Sequence, residues 1–289
     1  LCDRRQRQMC IRDSKDIIET NNLDQPYDCV DNGTWTIDKM IEMAAAIAND
    51  QEPDVKVYGM VSSSDVHYDP FFYGAGLRTI DRNDDGTPVV SDLFTGERAQ
   101  NTATKMTEFL NNGQCTKSNG QELFRDGRAL FIVHRARYAS QYLGDVDLGF
   151  GVIPMPKYDE EQEKYSTCLG FPYTLYAISS GSRHAESAAY LLEALASEGY
   201  RTVTPALFEV SMKIRYVDDP TAARMFDIIR DSVSFDVGRI FCSSLDNITY
   251  KVFRKALSNN EVYATKLQSS LPALNAYLKK FTEQFNKIS

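Results

Sequence analysis

The sequence lacks every short motif that would name a reaction. It contains no His-Glu-x-x-His, no Gly-x-Ser-x-Gly and no phosphate-binding loop, and Gly149-Phe-Gly151 lacks the third glycine and following helix of a dinucleotide fingerprint. Zinc-protease, serine-hydrolase and nucleotide-loop chemistry therefore have no support here. A run of eighteen apolar residues is missing too, so no segment reads as a membrane-spanning helix. Basic excess is also absent. The net charge of -8 argues against a general nucleic-acid surface, which needs a basic footprint to release counterions, and leaves neutral or cationic ligands open. Six cysteines, at positions 2, 10, 29, 115, 168 and 242, form no Cys-x-x-Cys pair and no metal-ligand spacing. They read as buried free thiols, with one long-range disulfide as the alternative in an oxidising compartment. No cofactor and no metal is implied.

What is present is an ordinary globular composition, 43% hydrophobic and 25% charged, long enough for one or two domains with a large core. Its most informative stretch runs from Glu122 to Tyr158. Gly127 can end a short helix in the left-handed conformation, and Ala129 to Val133 is an apolar run of strand length. Polarity then changes abruptly at His134, Arg135 and Arg137. A buried strand ending in charged and aromatic side chains is how α/β proteins present groups to a ligand at the carboxyl end of a sheet. Gly151-Val-Ile-Pro-Met-Pro156 reads as another short strand, closed by prolines.

Thr36 can cap a helix that places Ile37, Met40, Ile41, Ala44, Ile47 and Ala48 on one face, and Val55 to Val61 reads as a strand. A second helix is expected from about Glu97 to Asn112, ended by Gly113. Arg183 to Glu198 is strongly helical, with Ala188, Leu191, Leu192 and Leu195 on one face. Asp219-Pro220 supplies an N-cap and an N1 proline for a helix through Val233. Two last helices are expected over about Ser244 to Leu257 and Glu261 to Ile288, the second broken or kinked at Pro272. Asp81-Arg-Asn-Asp-Asp-Gly86 with Asp92 matches the spacing of a calcium loop, but strand-like flanks and Pro88 favour a β-hairpin with an Asp-Gly turn.

Three phrases carry a family resemblance: Leu123-Phe-Arg-Asp-Gly-Arg-Ala-Leu-Phe131 leading to Phe150-Gly-Val-Ile-Pro-Met-Pro156, Asn32-Gly-Thr-Trp-Thr-Ile-Asp-Lys-Met40, and the acidic-capped helix and Phe-Asp-x-Gly turn of Arg215 to Gly238. In their order along the chain they resemble the family 1 extracellular solute-binding proteins that deliver sugars and oligosaccharides to ATP-driven importers. The resemblance covers nearly everything after Ser14. It implies an α/β fold, periplasmic-binding-protein-like type II, with one nearly complete lobe and a fragment of the second. Residues 15–178 and 218–289 would form the carboxyl-terminal lobe and 179–217 a piece of the amino-terminal one. Leu1 to Ser14 is Arg-rich, has no signal-peptide pattern, and contains Met9-Cys-Ile-Arg-Asp-Ser14, which resembles translated sequencing-adapter sequence. It is expected to stand outside the fold, as a tail on a chain truncated at its amino-terminal side.

The resemblance further implies a monomeric receptor that closes two lobes on a carbohydrate and passes it to the membrane permease subunits of an ABC importer. It would bind no nucleic acid and catalyse no reaction. The full-length protein would be extracellular and held to the membrane as a lipoprotein. The implied ligand contacts are His67, Tyr68 and Asp69 in an aromatic-rich loop, His134, Arg135, Arg137 and Tyr138 after the buried strand, and Phe171 and Tyr173 at the crossover between lobes. Asp69 would accept hydrogen bonds from sugar hydroxyls. Phe71 and Phe72 read instead as core, and Trp35 as a packing anchor. The family's usual tryptophan after the strand is replaced by His134 and Arg137, which brings an anionic sugar, such as a uronic or sialic acid, into consideration because arginine engages carboxylates bidentately. The alternative is a glycosidase-like enzyme with two facing carboxyls, one of raised pKa. A third reading, an adhesion or scaffold module, would show a large apolar patch and no interlobe pocket.

Overall fold

The computed structural model describes residues 8–47, 55–136, 138, 143, 148–170, 176–206 and 220–287. Its first element is a strand, β1 (Met9–Asp13), followed by helices α1 (Lys15–Thr20), α2 (Pro26–Asp31) and α3 (Ile37–Ile47). Strand β2 (Tyr58–Val61), a 3-10 turn (Asp65–Tyr68) and helix α4 (Asp69–Gly74) lead to the hairpin β3 (Ile80–Arg82) and β4 (Pro88–Val90). Then come α5 (Asp92–Thr95), α6 (Glu97–Asn111), β5 (Cys115–Thr116), α7 (Gly120–Arg125), β6 (Ala129–Arg135) and β7 (Thr167–Cys168). The remainder comprises α8 (Ala185–Glu198), α9 (Pro220–Asp231), β8 (Val233–Ser234), α10 (Val237–Ile240), α11 (Ile248–Asn259) and α12 (Tyr263–Asn286).

The main sheet has the order β1-β6-β2-β5. β6 pairs in parallel with β2, and β2 in parallel with β5, while β1 runs antiparallel to β6 with Cys10 opposite His134. Ala129 to Val133 are fully buried, which suits a strand covered on both faces and explains why the sequence reads there as an unbroken apolar run. Gly127 takes a left-handed φ of +68° and lets Arg128 N donate to Leu123 O at 2.8 Å, so α7 ends where its glycine predicts. On the opposite face α3 lies tight against β2. A methyl group at Gly59 would come within 2.6 Å of Ala44 Cβ, so the helix can approach only because that strand residue has no side chain.

Placing residues 1–14 outside the fold needs correction for Met9 to Asp13. All five side chains are buried, and β1 is bonded on both sides, to β6 and, through Ile11 N and O, to Ile153 at 3.1 and 3.0 Å. Ser14 caps α1 by accepting from Ile17 N. The edge of β6 and its apolar faces need a strand, and that demand outweighs a local composition that reads as a tail. β1 nevertheless carries a cost. Arg12 is fully buried; its guanidinium donates to Ala136 O and to Cys10 Sγ, and no carboxylate pairs with it among the described residues.

Three other expectations change in detail. The helix predicted through Val233 stops at Asp231, because Val233 enters the short parallel pair with β7. The last helix runs through Pro272 without a break, held on one side by buried Leu267, Leu274 and Leu278. The 151–156 phrase joins β1 through the bridge of Ile153 to Ile11 and a bond from Gly151 N to Asp13 O at 2.9 Å, not as a full strand. The Asp-Gly segment is the expected hairpin, with Ile80 opposite Val90. Trp35 is fully buried, donates from Nε1 to Pro154 O at 3.0 Å and packs against Phe131, as an anchor should. The described cysteines, at 10, 29, 115, 168 and 242, are all free.

Candidate functional site

The carboxyl ends of the parallel strands converge on one rim. After β2 the chain turns through Ser62 to Tyr68; after β5 it enters α7; and β6 presents His134 and Arg135 as its last two residues. The turn and α7 can meet because residue 120 is glycine: a Cβ there would sit 2.2 Å from Ser62 O. The rings of His67 and His134 lie 4.6 Å apart between centroids, and His134 stacks on Tyr138 at 4.3 Å with 30° between planes. Gln121 ties the group together. Its side-chain amide donates to Ser63 Oγ at 3.2 Å and lies 3.2 Å from His134 Nε2, while its carbonyl accepts from Tyr138 Oη at 3.4 Å.

His67 is buried and its Nδ1 accepts from Ser63 N at 3.3 Å. Burial first, and the nearby Arg135 charge second, lower its pKa to about 4 against the opposing pull of Asp69. The imidazole is therefore neutral near pH 7, with Nδ1 as acceptor and the proton on Nε2. His134 Nδ1 likewise accepts from Arg135 N at 2.9 Å. The rim thus offers one half-buried imidazole, His134, packed on the buried rings of His67 and Tyr138 and bordered by an amide, a hydroxyl and a guanidinium. That combination suits a ligand with both an apolar face and hydroxyl groups.

The expected contacts divide sharply. His67, His134, Arg135 and Tyr138 come together at the rim, where His134 and Arg135 are half-buried and Tyr138 forms the buried floor. Tyr68 is next to them in sequence but buried. Arg137, Phe171 and Tyr173 lie outside the described residues. Phe71 and Phe72 are core, Phe72 making edge contacts with Phe94 and Phe253.

Asp69 does not stand open to sugar hydroxyls as expected. Its Oδ1 accepts from Arg254 Nε at 2.8 Å, and its Oδ2 accepts from Arg254 Nη2 at 2.5 Å and Arg239 Nη1 at 3.0 Å. At 2% exposure it has no free face. The buried Asp236 accepts from Thr79 N and Oγ1 at 2.6 Å and caps α10 by accepting from Gly238 N and Arg239 N. Asp69, Arg239 and Arg254 clamp α4 to α10 and α11. Gln121 and Ser63 were missed, because neither a serine in a polar turn nor a glutamine at a helix start stands out locally; only the glycine before Gln121 hints at a close approach.

A cavity of about 550 Å³ elsewhere is bordered by Asp24, Asp28, Asp38, Glu42 and Glu160, with Lys39 among them. It shares no residue with the rim. Lys39 is held there by Asp24 and Glu42 at 2.6 and 2.8 Å, so the groove reads as a solvated charged surface.

No family model matches the sequence, and no curated protein does. Solved structures do match. The sugar-binding protein MalE from Xanthomonas citri superposes with a TM-score of 0.64 at 14% identity, over 96% of this chain and 70% of that one. The fold is that of the ABC solute-binding proteins. The ABC substrate-binding protein Lmo0181 from Listeria monocytogenes, in complex with cycloalternan, aligns at 0.61 and 13% identity over 94% of this chain and 70% of its own. MalE from Bdellovibrio bacteriovorus, bound to maltotriose, aligns at 0.58 and 15% over 94% and 71%. The shared fold accounts for the mixed α/β architecture. Among the described residues no helix is long and apolar enough to cross a membrane.

Proposed function

We propose that this chain is the substrate-binding component of a carbohydrate ABC importer, working outside the cytoplasm and held there by a lipid anchor in the full-length protein. The observation that carries the reading is the rim itself: His134 stacked on Tyr138 and packed against the tilted ring of His67 at the carboxyl ends of parallel strands, with Gln121 and Arg135 beside them, in a fold shared with proteins solved with maltotriose and cycloalternan. In this reading residues 15–178 and 218–289 form one wall of the site and 179–217 belong to the opposing lobe. Closure on the sugar creates the form that the permease recognises. Closure needs only that the ligand prefer the closed state.

Arg135 extends the ligand range to acidic sugars. Against a glycosidase, Asp69, the carboxylate next to the rim in sequence, is engaged by Arg239 and Arg254 and is not open to a substrate as a catalytic carboxyl must be. Thermal unfolding against a panel of neutral and uronic mono- and oligosaccharides tests the proposal. A ligand at a hundred times its Kd adds about 2.7 kcal/mol. At least one sugar should raise the midpoint, and His134→Ala should abolish the rise. Stabilisation by peptides or metal ions with none by any sugar overturns the assignment.

A further inference from the structure

A second cavity, of about 240 Å³, opens on the flank of the sheet. It lies at β5, which ends the strand order and has no further strand beyond it among the described residues. Gln114 O and Thr116 O are spent on β2, accepting from Gly59 N at 2.9 Å and Ser62 N at 3.0 Å. In a parallel strand the alternate residues turn their backbone groups the other way, so Cys115 and Lys117 point theirs to the unpaired edge. Both residues line the cavity.

The other walls are chemically mixed. Tyr68 comes from the turn after β2, Leu110 and Asn111 from the end of α6, and Leu257 and Ser258 from the end of α11. Burial pushes the Tyr68 phenol up, so it is a neutral donor. Asn111 Nδ2 is committed to Thr107 O at 2.7 Å, which leaves the amide oxygen as an acceptor. Ser258 Oγ is buried with no hydrogen-bond partner. A buried hydroxyl left unsatisfied is costly, and a ligand hydroxyl would satisfy it. Lys117 is already neutralised by Asp65 at 2.7 Å, so the cavity has no spare charge with which to select an ion.

We propose that this flank cavity binds a neutral polyhydroxy compound the size of one sugar ring. The space equals about eight waters of liquid volume and falls below the roughly 300 Å³ of a drug-sized pocket, which limits the occupant to a single ring. Hydroxyl groups match the walls because each can donate and accept, answering Asn111 Oδ1 and the edge carbonyls on one side and Tyr68 Oη, Ser258 Oγ and the edge N–H groups on the other. Leu110 and Leu257 face the apolar ring. All these residues belong to described elements of the main body, so the site requires no opposing lobe and does not rest on the rim.

Amide NMR of the whole chain, titrated with D-glucose and with myo-inositol to tens of millimolar, tests it. Saturable shifts are expected at the amides of Cys115, Thr116 and Lys117. Ser258→Leu, which fills the cavity, should abolish them. Ser258→Ala should weaken binding by roughly 2- to 10-fold, the worth of one hydrogen bond, and decides the matter should the leucine variant fail to fold. Absence of saturable shifts at 115–117, or equal affinity in the Ser258 variants, overturns the proposal. Shifts confined to Ser63 and His134 would overturn it while leaving the rim reading intact.

Discussion

α3 and α8 carry the same message in sequence and meet opposite fates. Each repeats apolar residues at helical spacing. In α3 Ile37, Met40, Met43, Ala44 and Ile47 are buried against β2, with Gly59 admitting the backbone. In α8 no residue is buried, and Tyr190, Leu191 and Leu195 are 70%, 60% and 50% exposed. Amphipathic spacing therefore specifies a helix and the side that seeks a partner; what supplies the partner is decided by the rest of the chain. The main body behaves as an interior in which apolar faces find apolar partners. The 176–206 stretch behaves as a surface.

Substitutions sharpen that contrast, and the largest effect belongs at the charge cluster. Asp69→Ala leaves Arg239 and Arg254 without their shared carboxylate and should cost about 3–5 kcal/mol in urea unfolding, as breaking buried ion pairs does. A loss below about 1 kcal/mol would mean that the cluster is not clamped in solution. Met40→Ala, on the buried face of α3, should cost about 2–5 kcal/mol through lost burial and a residual cavity.

Acid should act next. His67 has a folded-state pKa near 4, below its ordinary value of 6.5. Its contribution is complete above pH 6.5 and is lost as the pH falls through the folded pKa, because the unfolded chain takes up the proton first. The total is about 3 kcal/mol, from 1.36 kcal/mol per unit. Unfolding midpoints measured from pH 7 to 4 should decline less steeply in His67→Phe than in the parent, and parallel curves would rule this out. The smallest change belongs to α8: Leu191→Ala should stay within about 0.5 kcal/mol. A cost like that of Met40→Ala would show that α8 is buried in solution and would dissolve the contrast.

Much of the body was legible because its signals are local. The apolar run of β6, the glycine ending α7, the Asp-Gly hairpin and the stripe of α3 each depend on neighbours within a few residues. What escaped notice depends on distant ones. Asp69 reads as a free acceptor in an aromatic loop, yet its partners are 170 and 185 residues away. Arg12 and Asp13 read as a polar tail because nothing nearby reveals the strand they join. At the rim, the pairing of His67 with His134 follows from the parallel alignment of β2 and β6, whereas Gln121 enters only through the contact that Gly120 permits.

The position of β1 also sets an order of events during synthesis. Cys10 faces His134 across 124 residues, so β1 leaves the ribosome well before β6, the strand it pairs with, has been made. At roughly 5–20 residues per second that wait is about 6–25 s. During it Met9, Cys10 and Ile11 are open to other chains. Slowing elongation after β2 should therefore lower soluble yield, whereas supplying β1 late, by circular permutation to a point beyond β6, should raise it.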